Sequence, residues 1–264
     1  MILPTMTGAA PQVPFAIYTA CDAAYFDEFA PALIRSIQAN SPDHLHIHIF
    51  NPRPDQLEFC AQQTGVTVSY EHVTADQFNT AAARWGRADL DAVARSQLER
   101  THSAMRKGQD RDLHHRMQKT YYACARFIRL AELNFSGTVM SMDVDAVVRA
   151  HIPRLSTEHD FYLHKITGAK ARILAGGMYL NPQGRSREFL NCYAQQLRVS
   201  LEQDHIYWGL DQDILDRVVP GYSSGHLPIS MIDWDMRPDS CIWTAKGTRK
   251  DLPKFIAEQQ RYSV

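Results

Sequence analysis

From Phe15 to Tyr70 the chain alternates short apolar runs with amphipathic stretches, a pattern that confines it to a sheet covered by helices. Phe15-Ala16-Ile17-Tyr18-Thr19-Ala20 reads as a buried strand that ends at the polar turn Cys21-Asp22. Phe29, Leu33, Ile34 and Ile37 then give a helix one apolar face, and Asn40-Ser41-Pro42 breaks it. Leu45 to Phe50 predicts a second strand, Gln56 to Gln63 a second helix and Val66 to Tyr70 a third strand. A β-α-β-α-β order favours a mostly parallel sheet, and such sheets bind ligands outside the carboxyl ends of their strands. The first strand therefore aims Ala20 and Asp22 at a site.

At 264 residues with 45% hydrophobic content the chain can bury one continuous core, so a single domain spanning 1–264 is expected. Its formal charge of −1 excludes a chain that is basic throughout but hides an asymmetry. The first 83 residues are acidic, whereas the stretch from Arg84 to Arg129 carries eleven Lys and Arg against five Asp and Glu. The polar part of that stretch, about 84–119, reads as a basic helical insertion. It could meet an anionic acceptor, nucleic acid included. Cys21, Cys60, Cys124, Cys192 and Cys241 form no C-x-x-C pair, so neither a disulfide framework nor a structural zinc site is expected. Met1 to Pro14 has no basic run and three prolines, and no later apolar stretch approaches the roughly 20 residues of a membrane span. A cytoplasmic, soluble protein is the expectation.

Further along, Tyr121, Ala125 and Ile128 recur at helical spacing within Met117 to Leu133, and Asn134 and Gly137 stop that helix. Val139 to Met142 is an expected strand, Ala146 to Val148 a second extended piece, Leu174 to Leu180 another strand and Arg185 to Leu201 another helix.

Chemistry concentrates in Met140-Ser141-Met142-Asp143-Val144-Asp145-Ala146-Val147-Val148, where two acids interrupt an apolar run. Carboxylates are costly to bury unless they meet a cation or donors. A strand ending in Asp-x-Asp sends two hard oxygen ligands to the open edge of the sheet, where Mg²⁺ or Mn²⁺ bridging two phosphates would neutralise them. The competing reading is a solvated turn with both acids on backbone amides. Arg126 and Arg129, three apart on the preceding helix, could reach a phosphate or the acids, or could form structural ion pairs.

Tyr121 to Leu133 followed by Gly137 to Val148 resembles the family 8 glycosyltransferases, which include glycogenin and the bacterial lipopolysaccharide sugar transferases. The resemblance implies a GT-A fold, a Rossmann-like mixed and mostly parallel sheet flanked by helices. It also implies transfer from a nucleotide diphosphate sugar, a UDP-sugar being the expected donor, with retention and with manganese or magnesium. Tyr18-Thr19-Ala20-Cys21-Asp22 is similar to the family's opening, placing Tyr18, Ala20 and Asp22 at the nucleoside. Arg126 matches the basic residue ahead of the metal motif, and Asp143, Val144 and Asp145 match the motif itself. Ala175-Gly176-Gly177 resembles the small-residue strand beneath the donor sugar, although a plain strand bulge would look the same. Gly209-Leu210-Asp211-Gln212 is similar to the Asp-Gln segment beside the reacting sugar, so Asp211, Gln212 and Arg126 form the expected catalytic set; Asp211 could equally be a helix N-cap. The closing His-x-x-Gly-x-x-Lys pattern is matched by Thr244-Ala245-Lys246-Gly247-Thr248-Arg249-Lys250. Gly247 and Lys250 fit, Lys246 adds charge, and Thr244, a poorer ligand than imidazole, stands where a metal-binding histidine belongs.

The acceptor, whether glycan, lipid-linked glycan, protein or DNA, is not legible. Two further readings share these residues: a transferase acting on a hydroxymethylated DNA base, and a nucleotide-sugar-binding relative without turnover. His44, His46 and His48 alternate and read as a partly exposed sheet face rather than a metal site. Among the tryptophans, Trp208 is the best candidate for a sugar platform, and His226 with Asp233-Trp234-Asp235 lies where an acceptor site could close or where capped turns could form.

Overall fold

Strand β1 (Phe15–Asp22) organises the molecule because both of its faces are covered. Phe15, Ile17 and Cys21 belong to one core while Ala16 and Tyr18 belong to the other, as the two-residue period of a strand requires. The structure is a computed structural model that describes residues 1–85, 95–97, 99, 113–166, 172–245 and 247–263. Most of the basic segment expected at about 84–119 lies outside the described residues.

The opening follows the expected order: β1, α1 (Ala23–Asn40), β2 (His44–Phe50), α2 (Pro54–Ala61) and β3 (Val66–Glu71). A short helix α3 (Asn79–Trp85) and the long α4 (Leu113–Leu133) precede β4 (Thr138–Met142). The β4 strand pairs parallel to β1, and the chain then continues into the short β5 (Ala146–Val148) of a second sheet. Strands β6 (Phe161–Ile166), β7 (Arg172–Leu180) and β8 (Ser224–His226) complete a main sheet ordered β3-β2-β1-β4-β7-β6-β8. The sheet is mixed because β7 runs antiparallel to both β4 and β6. Helices α5 (Ser186–Glu202) and α6 (Leu210–Val218) pack with α4 over one face, and α1 covers the other. The small sheet joins β5 to β10 (Ile242–Thr244) and β9 (Ile232–Asp233), and α7 (Pro253–Gln260) follows. No helix among the described residues is long and apolar enough to cross a membrane.

The histidine expectation fails in an informative way. His46 and His48 are fully buried rather than partly exposed, because α4 and Phe135 close over that face of β2. A row of hydroxyls on β3 meets the imidazoles, leaving, of their ring nitrogens, only Nε2 of His48 buried without a partner among the described residues. His44 Nε2 and His46 Nδ1 meet Thr67 Oγ1 at 3.0 and 2.9 Å, and His46 Nε2 and His48 Nδ1 both meet Ser69 Oγ at 2.9 Å. Burial pushes His46 down to about 3 and His48 well below 6.5, so the folded chain keeps both neutral where the unfolded chain protonates them. Their contribution to stability is present above pH 6.5 and is lost as pH falls from there toward about 3. Urea midpoints should fall with each step below pH 6.5, by up to about 1.4 kcal/mol per pH unit for each histidine. A His46→Gln, His48→Gln protein should show a flatter profile above the carboxylate range, and an unchanged slope would refute this assignment.

Candidate active site

The chain changes sheets at Asp143-Val144-Asp145, the bend between the end of β4 and the start of β5. Val144 is buried in the core on the α1 side and pins the bend, while both acids line a cleft above it. The cleft has two adjoining compartments of about 380 and 280 Å³, the size range of small-molecule sites, and the acids line both.

Each acid already has a cation. From α4, Arg126 Nη1 donates to Asp143 Oδ1, while its Nη2 lies 3.7 Å from Asp211 Oδ2 and donates to the Ala175 carbonyl at 3.4 Å. Burial opposes the Arg126 charge, but Asp143 and Asp211 outweigh it and hold the guanidinium above its ordinary value. Asp145 accepts from Lys250 Nζ at 2.5 Å on Oδ2 and from the Thr244 hydroxyl at 3.4 Å on Oδ1. Burial, reinforced by the charge of Asp143, still pushes the Asp145 carboxyl up to about 6 against the pull of Lys250.

Long-range pairing delivers the closing segment. The β10 strand lies antiparallel to β5 with Thr244 opposite Ala146, and Gly247, at φ +62°, starts the 3-10 turn Gly247–Asp251 that carries Lys250 back over Asp145. Lys250 Nζ also donates to the Tyr25 hydroxyl at 3.0 Å.

The Ala175-Gly176-Gly177 segment is a bulge, and the bulge is what presents it. Leu163 pairs with Met178 but the next residue, His164, pairs with Leu174, so the three residues between leave the β6 ladder while Gly177 keeps its pairing with Met142 of β4. A side chain on Gly176 would place Cβ 2.9 Å from Asp143 Oδ2 and 3.5 Å from the Trp234 ring, so a larger residue there would push the Asp143 carboxylate aside. Gln212 faces the same segment, its Oε1 accepting from the Ala175 amide at 3.3 Å and its Nε2 donating to Asp216 at 3.2 Å.

Most of the expected residues meet in this cleft. Ala20, Asp22, Arg126, Asp143, Val144, Asp145 and Lys250 line the compartment beside β1, while Ala175, Gly176, Asp211, Gln212 and Gly247 line the one beside β7. Four expectations change. Tyr18 is fully buried beneath α4, its hydroxyl donating to the Arg126 carbonyl at 2.7 Å, so it supports the arginine and does not reach a ligand. Gly177 faces Ile232 and Leu227 in the core, because alternation along β7 turns it away from Gly176. Thr244 is fully buried under Asp145, which consumes its hydroxyl, so it is not presented to a metal in the cleft. Asp211 is not the N-cap: Gly209, at φ 88°, holds that position and Asp211 lies in the first turn, where a carboxylate suits the helix dipole. Lys246 lies outside the described residues.

Arg129 takes the structural role, paired with fully buried Glu71, which also accepts from the Tyr121 hydroxyl at 2.7 Å. Asp233 forms a capped turn, accepting from the amides of Asp235 at 3.1 Å and Arg237 at 2.6 Å, and His226 meets the Lys165 carbonyl at 2.8 Å. Trp208 does line both compartments, with Arg116 at 4.2 Å over its ring. Among the lining residues that the sequence reading did not single out are Lys119, Tyr122 and Ala123 on α4. Their signal was available, since they lie seven, four and three residues before Arg126 and so share its helix face.

Two hard carboxylates in a cleft, one partly exposed and the other strained by its neighbour's charge, fit a divalent cation shared with phosphates. No cluster of three or more His, Cys, Asp or Glu side chains able to hold a metal occurs among the described residues, so the remaining ligands would come from substrate or water.

Solved structures decide the architecture. A galactosyltransferase, LgtC, in complex with donor and acceptor sugar analogues is similar over 94% of this chain and 96% of its own, with a TM-score of 0.56 at 10% identity. The chain has the GT-A glycosyltransferase fold. The glycosyltransferase GlyE of Streptococcus pneumoniae TIGR4 is similar over 94% of the chain with a TM-score of 0.56 at 14% identity, and the bifunctional WbbM over 98% with 0.53 at 14%. The chain spans 60% of the GlyE chain and 50% of WbbM. No protein-family model and no curated protein matches it. The GT-A fold expected from the family 8 resemblance is thus the fold observed, and in it the acids lie at the carboxyl end of β4, beside β1, where a parallel sheet binds its ligand.

Proposed function

We propose that this chain is a glycosyltransferase that moves a sugar from a nucleoside diphosphate donor, with UDP-sugar the expected donor, to an acceptor hydroxyl with retention. The supporting observation is the charge of the cleft. Among the described residues that line it, Asp22, Asp143, Asp145, Asp211 and Asp213 outnumber Lys119, Arg126 and Lys250. A diphosphate entering alone would meet net negative charge, whereas one carrying Mn²⁺ or Mg²⁺ would bring the missing positive charge to Asp143 and Asp145. A divalent cation bound there supplies Lewis acidity to the departing phosphate oxygens.

The protein's own residues do the rest. The bond from the anomeric carbon to the phosphate oxygen breaks with its electron pair leaving on the diphosphate, where Arg126 and Lys250 would stabilise the growing charge, while the acceptor oxygen bonds to the anomeric carbon and its proton passes to the departing phosphate oxygen. Asp211 and Gln212 flank the anomeric carbon, and Gly176 lets the sugar lie close to the β7 backbone. Ala20, Asp22 and Tyr25 form the compartment for the nucleoside.

A thermal-shift and hydrolysis screen of nucleoside diphosphates and nucleotide sugars, each with and without Mn²⁺ and Mg²⁺, tests this directly. Metal-dependent stabilisation by one base, with slow release of its diphosphate from the matching sugar nucleotide, is the expected outcome. Tight donor binding with no turnover would favour a binding protein on the same fold. No shift with any nucleotide from a folded sample would remove the functional reading and leave the fold.

A further inference from the structure

We propose that Lys250 is an exchangeable internal counter-ion that makes divalent metal and diphosphate bind this cleft as a pair, each poorly without the other. The inference rests on the donor reading above and adds a coupling to it.

Both oxygens of Asp145 are engaged, Oδ2 by Lys250 Nζ at 2.5 Å and Oδ1 by Thr244 at 3.4 Å, and its side chain is only 8% exposed. Lys250 is itself mostly buried. Its ammonium is held on a second side by the Tyr25 hydroxyl, to which Nζ donates at 3.0 Å. A dication arriving alone would have to displace that ammonium and leave a largely buried cation without its anion, which is strongly unfavourable. A diphosphate arriving alone could recruit Lys250 only by stripping Asp145 of its partner beside an already anionic Asp143. Arriving together, the dication replaces the ammonium at Asp145 and the phosphate receives Lys250, so no charge is left bare.

The local fold permits the exchange. Lys250 sits on the 3-10 turn Gly247–Asp251, whose Gly247, Thr248 and Arg249 are exposed, and rotation of a lysine side chain moves Nζ without disturbing β10. Arg126 cannot do the same for Asp143, because it is also tied to Asp211 and the Ala175 carbonyl. Reciprocity follows from linkage: whatever factor UDP adds to the metal's affinity, the metal adds to that of UDP.

Calorimetric titrations of the full chain with Mn²⁺ alone, UDP alone and Mn²⁺ at saturating UDP measure the coupling, in the wild type, Lys250→Met and Arg249→Met. The wild type should bind each ligand at least about tenfold more tightly in the presence of the other. Lys250→Met should bind Mn²⁺ alone at least about tenfold more tightly than the wild type, with a reduced coupling factor. Arg249→Met removes an equal charge nearby, from an ion pair with Asp235 at 3.0 Å, and should gain much less. Equal Mn²⁺ affinity in wild type and Lys250→Met, or an equal gain in Arg249→Met, overturns the counter-ion role, while joint binding of Mn²⁺ and UDP would leave the donor reading standing. Failure of the wild type to bind Mn²⁺ and UDP even together overturns both.

Discussion

An Asp145→Asn protein is expected to keep its fold and to lose donor hydrolysis by a factor of about 10²–10³, the size of effect seen when one preorganised charge at a reacting centre is removed. The substitution preserves shape and removes only charge. In the wild type that charge is unwelcome, since burial and Asp143 raise the carboxyl to about 6. An acid whose folded pKa lies above its unfolded value costs stability at neutral pH, and the cost disappears as pH falls below the unfolded value. Asparagine removes that cost but leaves the mostly buried Lys250 ammonium without its anion, so the two effects oppose each other and the melting temperature should change little at pH 7. Circular dichroism melts alongside a diphosphate-release assay separate the two effects. An undiminished release rate in a folded Asp145→Asn protein would sink the role given to this acid.

The largest loss of stability is expected at the neighbouring arginine that faces away from the cleft. Arg129 is 2% exposed and Glu71 1%, and each is the other's principal counter-charge. Burial pushes the Glu71 carboxyl up, while Arg129 and the Tyr121 hydroxyl pull it back. Truncating Arg129 to methionine leaves a buried carboxylate without its cation, and such broken pairs cost about 3–5 kcal/mol. Urea denaturation should show that loss for Arg129→Met. Arg126→Met should cost less, because its partner Asp143 is partly exposed and can be solvated, but it should cripple diphosphate release. If the two variants lost stability equally, the division of labour between these arginines would be wrong.

Much of this architecture was legible in the chain. Strand β1 read correctly because both of its faces are buried, leaving a continuous apolar run, and α1, α4 and α5 read correctly because each carries one apolar stripe. Strand β6 went unnoticed: Phe161-Tyr162-Leu163-His164-Lys165-Ile166 places His164 and Lys165 side by side, which breaks both the alternation and the apolar run. In the small sheet, β5 is the extended piece expected at Ala146 to Val148, whereas β9 and β10 are only two and three residues long and carry no periodicity. The histidine row misled because alternation shows which residues share a face but not what lies over that face.

The sequence by itself determined that Asp143 and Asp145 would interrupt an apolar strand at the open end of a mostly parallel sheet, because that follows from local pattern and from the cost of burying charge. Only the tertiary structure decided the partners. Arg126 turns to Asp143 and Arg129 to Glu71 although they lie three apart on one helix, because Asp143 follows β4 and Glu71 ends β3, on opposite sides of β1. Likewise Thr244 falls beneath Asp145 and Lys250 above it because β10 pairs antiparallel with β5, about a hundred residues away along the chain. Contacts of that span are set by which surfaces remain to be buried once the main sheet has formed, a property of the whole chain that no local stretch encodes.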